Sequence, residues 1–233
     1  MLRKPPWCAS CVYTRMSGSG FCPDHSPPSP KMAFFLEAPG ETEINMNTPL
    51  CGSAGHLWEY SLLSATGLNR REVFVGNTLR CRPPDNKFPT GELGSKARAH
   101  CRAYDRLHSF GQHIRIDIDN PNAQKLLPIE NTNLFNERHV CFEHQECGIV
   151  GFKPDTFLVT EHPAVLIRAP YMISIIRAHL EKAARLMAKG RRVCVLMGGV
   201  ALLQVAPHLT GGIKKWMGHF WYTRDGWPFK EAK

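Results

Sequence analysis

The chain has 233 residues, 43% hydrophobic and 21% charged, which is enough for one sizeable core and too apolar for a disordered chain. Its longest apolar runs, such as Val193–Met197 and Val200–Leu203, fall far short of the roughly 18 residues a membrane-spanning helix needs. Lys and Arg number 29 against 20 Asp and Glu, and this net +9 points to a polyanionic partner, nucleic acid first and an anionic membrane second.

Residues 1–31 read as a loop broken by Pro5, Pro6, Gly18-Ser19-Gly20 and Ser26–Pro30. No apolar stretch follows the first charges, so no secretory signal is expected. Nine scattered cysteines suit metal ligands or buried thiols in an intracellular, cytoplasmic setting better than a disulfide scaffold. Met32–Leu36 is a continuous apolar run, the pattern of a strand buried on both faces, and it stops at the turn Glu37-Ala38-Pro39-Gly40. Trp58, Leu62 and Ala65 recur at helical spacing within Ala54–Thr66, and Gly67 closes that helix. Val73–Val75 is a second strand, ending at Gly76-Asn77. A loop over Arg82–Asn86 follows, then a basic helix over Glu92–Leu107. Residues 110–152 read as an irregular insertion in which His113–Ile118 alternates like an exposed strand. Phe157–Thr160 is a third buried strand before Glu161-His162-Pro163. Ile173, Ile176, Leu180, Ala183 and Met187 form one apolar stripe that Gly190 ends. Val193–Met197 is a fourth strand, stopped by Gly198-Gly199, with a helix over Ala201–Val205. Short buried strands alternating with helices predict a single three-layer α/β/α domain over 1–233. Its central sheet is mainly parallel and four-stranded.

In such sheets ligands bind beyond the carboxyl ends of the strands. Three strand ends carry a carboxylate (Glu37), an amide (Asn77) and an imidazole (His162), a set suited to a planar polar ring. Asn77 offers a donor and an acceptor, as an imide edge requires, and His162 can donate to a developing oxyanion. Taken singly, each is equally a turn residue. Cys8-Ala-Ser-Cys11 lets two thiolates reach one metal. With Cys22 and His25 it would make a zinc site; with Cys81 and Cys101 it would give four thiolates suited to an iron–sulfur cluster. His139, Cys141, His144 and Cys147 form a further metal-like grouping, and Lys214-Lys215-Trp216 a basic aromatic one.

These pieces together resemble the family 4 uracil-DNA glycosylases, which carry a 4Fe–4S cluster. Leu36–Glu43 is similar to the family's GEAPGxxE, and Pro49–Leu57 (PLCGSAGHL) to its PFVGxAGxLL. Val73–Pro84 (VFVGNTLRCRPP) is similar to VYITNxVKCRPP, and Thr160–Arg168 (TEHPAVLIR) to TYHPAxLLR. The resemblance implies hydrolysis of the N-glycosidic bond of uracil in DNA by a protein acting as a monomer. It implies Cys8, Cys11, Cys81 and Cys101 as cluster ligands, and Glu37, Ala38, Gly40 and Leu50 as lining of the base pocket. Asn77 would read the uracil edge, His162 would face its O2, and Glu43 would orient or activate the attacking water. Arg82, Lys87 and Arg168 are expected on the DNA backbone, joined by Arg70, Arg71, Arg80, Lys96, Arg98 and Arg102.

The sequence departs from the family at Leu36, where the motif has Gly, at Ile44, where the family has Asp, and in a slightly longer Cys81–Cys101 interval. Two further departures bear on the site and the topology. Leu50 stands where the family has the Phe that stacks on uracil. Val193–Gly199 (VCVLMGG) resembles a family strand that normally precedes the His-Pro motif, and here it follows it. A sheet accepts that order if both strands keep their places. The competing reading is a non-catalytic DNA-binding member of the same superfold.

Overall fold

The computed structural model describes residues 2–4, 6–17, 20–108, 114–116, 124–126, 154–205 and 212–222. Residues 1–31, expected as loop, are tied down locally. β1 (Leu2–Arg3) pairs antiparallel with β2 (Gly20–Phe21) around a 3₁₀ turn over Pro6–Ser10. Beyond lie β3 (Met32–Leu36), the short α1 (Glu41–Met46), α2 (Ser53–Leu57) and β4 (Val73–Asn77). Next come α3 (Gly91–His108) and the antiparallel pair β5 (Ile114–Ile116) and β6 (Gln124–Leu126). These two strands are the described part of the expected insertion at 110–152. The His139–Cys147 grouping lies outside the described residues. The chain then runs through β7 (Thr156–Thr160), α4 (Val165–Arg168), α5 (Ile173–Ala188) and β8 (Val193–Met197). It continues with α6 (Gly199–Val205), α7 (Gly212–Trp216) and β9 (Phe220–Tyr222).

The four five-residue strands β3, β4, β7 and β8 are buried along their whole length and form a parallel sheet. The strand order is β4-β3-β8-β7, with β9 added antiparallel at the β7 edge. That fifth strand was not expected, because a three-residue stretch carries no usable period. Alternate strand residues supply two cores, as the pleat requires. Met32, Phe34, Val73, Val75, Leu158, Val193 and Val195 face one layer, with Trp58, Leu62, Ile176 and Leu180. Ala33, Phe35, Phe74, Phe157, Val159, Cys194 and Leu196 face the other, with Ala201 and Leu202. Trp216 also packs against this second layer, so it serves the core rather than a base. Phe34 meets Trp58 edge to face, ring centroids 5.1 Å apart.

The Gly-Gly strand keeps its place despite its altered position in the chain: β8 lies between β3 and the His-Pro strand β7. Handedness explains what this requires. The steps β3 to β4 and β7 to β8 run the same way along the sheet, so right-handed crossovers put both connecting helices on one face. Helix α5 accordingly packs beside the 58–66 segment, and Arg177 Nη1 donates to Ser61 O at 2.7 Å. The step from β4 to β7 runs the opposite way and carries α3 to the other face, beside α6.

Helix 54–66 is helical as expected but not uniform. After α2 it takes a π turn over Trp58–Leu62 and a 3₁₀ turn over Leu63–Thr66 before Gly67. Such turns mark places where packing overrides the regular ladder. Among the described residues no helix is long and apolar enough to cross a membrane.

Candidate active site

All four parallel strands end at the same edge, and the register brings their last residues level. Leu36 pairs with Asn77, and Thr160 with Met197. Thr78 ties the first two ends together, its N–H and Oγ1 both donating to Leu36 O at 2.9 and 2.8 Å. Leu79 N–H donates to Glu37 O at 2.9 Å. A cavity of about 580 Å³ opens over this edge, within the ordinary size range of small-molecule sites. Glu37, Ala38, Gly40, Glu43, Leu50, Asn77, Arg82, His162 and Arg168 all line it, which is most of the residues the sequence singled out. Lys87 does not, although its neighbours Asn86 and Phe88 do.

Asn77 is 3% exposed and lines the cavity. His162 is partly buried, and burial pulls its pKa down to about 4 against a smaller opposing pull from Glu43. The ring is therefore neutral at pH 7. The Ala164 N–H donates to His162 Nδ1 at 3.2 Å. A neutral ring accepting at Nδ1 carries its proton on Nε2, which makes Nε2–H a hydrogen-bond donor. Burial raises the pKa of Glu37, a nearby Glu161 adds to the rise, and the Val200 N–H opposes it by donating to the carboxylate. Gly198 sits at φ +101°, and a Cβ there would lie 2.7 Å from Glu37 Oε1. The displaced β8 strand thus supplies the backbone on which this carboxylate rests.

Glu43 is held by backbone N–H groups from two loops. Its Oε1 accepts from Cys51 N–H at 3.1 Å and Gly52 N–H at 2.7 Å, and its Oε2 accepts from Gly40 N–H at 3.0 Å. It clamps the two cavity loops together, and Gly40 N–H is thereby already engaged. Leu50 is buried with φ +53°, a left-handed conformation uncommon for a leucine. It is held there from several sides. Arg70 Nη1 donates to Leu50 O at 2.9 Å, and Nη2 donates to Pro49 O. A Cβ on Gly55 would come 2.1 Å from Leu50 O. Gly55→Ala would raise helix propensity by about 1 kcal/mol, yet overpacking against this backbone is expected to give a net loss of roughly 1–3 kcal/mol. Chemical denaturation checks the sign.

The basic residues divide by burial. Arg168 is exposed at the cavity mouth, while Arg82 pairs with Glu41 at 3.0 Å and donates to Asn86 Oδ1 at 2.8 Å. Arg80 is only 2% exposed and pairs with Asp24 at 2.6 Å, so it belongs to the scaffold and not to a DNA surface. Arg70 is likewise occupied, holding Pro49 and Leu50, and Lys96 pairs with Glu92 one turn away.

The cysteines sort into two places. Cys101 lies in a small core with Tyr13, Leu79 and Ala97, against which Cys11, Cys81, Ala38 and Phe88 pack. Cys8 adjoins them. Burial raises its thiol to about 12, with Cys11 and Cys81 adding to the rise and Lys4 and Arg80 opposing it. Cys22 instead is fully buried among Asp24, Glu43, Cys51 and Arg80, and His25 Nε2 bonds Arg70 O at 2.9 Å. The zinc arrangement of Cys8, Cys11, Cys22 and His25 is therefore not assembled. Among the described residues no three His, Cys, Asp or Glu side chains converge closely enough to hold one metal ion.

Phe88, Ile167, Arg70 and the Asp24–Arg80 pair were not singled out from the sequence for the places they hold here. None sits at a strand end, and only tertiary packing brings them to this edge.

Comparison with known proteins agrees with this architecture. The model of the uracil DNA glycosylase superfamily matches residues 23–185. The chain is similar to a type-4 uracil-DNA glycosylase of Sulfurisphaera tokodaii, 39% identical over 185 residues, covering 76% of this chain and 80% of that protein. It is also similar to those of Archaeoglobus fulgidus (27% over 164 residues; 68% of this chain, 78% of that protein) and Saccharolobus solfataricus (28% over 154; 65% and 69%). With both the matched motifs and the strand-end cavity in place, the chain belongs to the type-4 family of the uracil-DNA glycosylase superfamily.

Proposed function

We propose that the protein is a DNA repair enzyme that hydrolyses the N-glycosidic bond of uracil in DNA and leaves an abasic site. The observation that carries this reading is the convergence of Asn77, Glu37 and His162 on one cavity at the carboxyl edge of the sheet. A base in duplex or stacked DNA is out of reach, so it must swing out at a cost of a few kcal/mol and enter that cavity. Asn77 then offers a donor and an acceptor to the imide edge. As the bond to the sugar breaks, negative charge grows on the departing base. The Nε2–H of neutral His162 stabilises it, with Ala38 N–H as a backbone donor on the 37–40 segment. Glu43 positions both loops, and the acceptor capacity left on Oε2 orients the water that adds to the sugar carbon. Arg168 at the mouth meets the phosphates, joined by Arg82 and Lys87 on the facing loop.

Cys8, Cys11, Cys81 and Cys101 are the residues that would hold a 4Fe–4S cluster. Their donor set is purely thiol, and they gather in one place. A single zinc would need its sulfurs roughly 3.8 Å apart, given Zn–S distances of about 2.3 Å; a cubane takes one thiolate per iron and accepts a wider set. When bound it would act as a cross-link joining the N-terminal segment, the loop after β4 and helix α3. A DNA substrate and a ligand set that must stay as reduced thiols fit a reducing, intracellular setting.

The test is release of free uracil from a uracil-containing oligonucleotide by anaerobically purified protein of known iron content. Release at catalytic rates supports the reading. Binding without release by protein holding four irons per chain would favour the non-catalytic member of the superfold. Zinc in place of iron would overturn the cluster assignment.

A further inference from the structure

The side chains so far assigned read the edge of a bound base and leave its faces without a partner. Among the described residues that line the cavity, Phe88 alone carries a benzene ring. It comes from the loop between Cys81 and α3, which also brings Arg82, Pro83 and Asn86 to the cavity. Position 50 is a leucine whose left-handed backbone is locked by Arg70.

Phe88 is only half-buried, and its packing accounts for one side of it. There it lies against Tyr13, Leu79, Ala97 and Cys101, next to Ala38, while it also borders the cavity. Its loop is firmly held. Asn86 and Lys87 N–H donate to Pro83 O and Pro84 O at 3.1 and 2.9 Å. Arg82 spans to Asn86 at 2.8 Å and to Glu41, another lining residue, at 3.0 Å. A ring fixed before the ligand arrives loses little freedom on binding, which is what makes an aromatic platform effective.

We propose that Phe88 is the stacking surface for the everted base, lying against its face while Asn77 meets its edge. The inference rests on the reading of the cavity as a uracil site. It makes Phe88 a binding residue that determines affinity for the base, and it ties the cysteine-bearing loop to substrate recognition.

The experiment compares equilibrium binding of two oligonucleotides to the whole protein. One carries a 2′-fluorinated deoxyuridine, whose base is retained, and the other a tetrahydrofuran abasic site that presents the same backbone without a base. The wild-type protein is expected to prefer the uracil ligand. Phe88→Leu should weaken uracil binding by about tenfold and abasic binding by less than about twofold, as loss of one stacked ring predicts. Phe88→Tyr should restore the preference. Should the leucine variant fail to fold, Phe88→Met keeps the bulk, removes the ring and repeats the test. Unchanged uracil binding in a folded ring-less variant overturns the proposal, and so does an equal loss for both ligands. A wild-type protein that does not distinguish the two ligands instead overturns the uracil site itself.

Discussion

His162→Ala is expected to slow uracil release by about 10²–10³-fold, the usual consequence of removing one donor aimed at developing negative charge. Binding to DNA should change little, since the proposed function puts His162 on the base and Arg168 on the phosphates. The magnitude follows from geometry. Burial holds the imidazole neutral with a pKa of about 4, and Ala164 N–H occupies Nδ1, leaving Nε2–H as the donor. Two consequences can be measured. Between pH 5 and 8 no titration of His162 should appear in the single-turnover rate, because the ring stays neutral throughout. For stability the sign is the reverse of an ion-paired histidine. The unfolded chain takes up a proton below about pH 6.5, whereas the folded one waits until about 4. Stability from this group is therefore present above the unfolded pKa and is lost as pH falls between those values. In His162→Ala that acid-side loss should shrink. A wild-type rate of release in this variant would remove His162 from the mechanism.

Asp24→Ala is expected to destabilise the fold by about 3–5 kcal/mol, the cost of removing one partner of a buried ion pair. For a chain of this size that lowers Tm by roughly 6–20 °C. Arg80 and Asp24 side chains are 2% and 4% exposed and 2.6 Å apart, so water can screen or replace the lost carboxylate only poorly. Lys96→Ala is the control. Its one-turn pair with Glu92 is solvent-exposed and screened, so its loss should barely move Tm. The effect should reach the site as well. Arg80 lies between Asn77 and Cys81, and its carbonyl accepts from Cys22 N–H at 2.8 Å. Thermal unfolding of the two variants checks the ranking, and similar losses in both would show that the pair does not hold this segment.

The residues legible from sequence alone share a simple property: they act where local pattern fixes position. Met32–Leu36, Val73–Val75, Phe157–Val159 and Val193–Met197 are continuous apolar runs, the pattern of a strand covered on both faces. Whatever follows such a run in a parallel sheet stands at the binding edge, so Glu37, Asn77 and His162 could be named from their neighbours. The motifs added the family, and with it the cysteine set. Residues whose role depends on distant partners were misjudged or overlooked. Arg80 and Arg70 looked like DNA contacts because charge along a sequence says nothing about burial. For Glu43 the sequence offered only the water, and the clamp was overlooked because the three backbone N–H groups that hold it come from positions 40, 51 and 52.

Composition, periodicity and motif order by themselves determined the layered α/β architecture, which residues stand at the strand ends, and the family, because each is written in short stretches of chain. Only the tertiary structure decided that the strand following the His-Pro motif lies beside β3, since sheet order depends on pairing between segments far apart in sequence. It likewise decided that Arg80 pairs with Asp24 inside the fold and that Phe88 reaches the cavity, because burial and convergence are properties of packing, which no local pattern records.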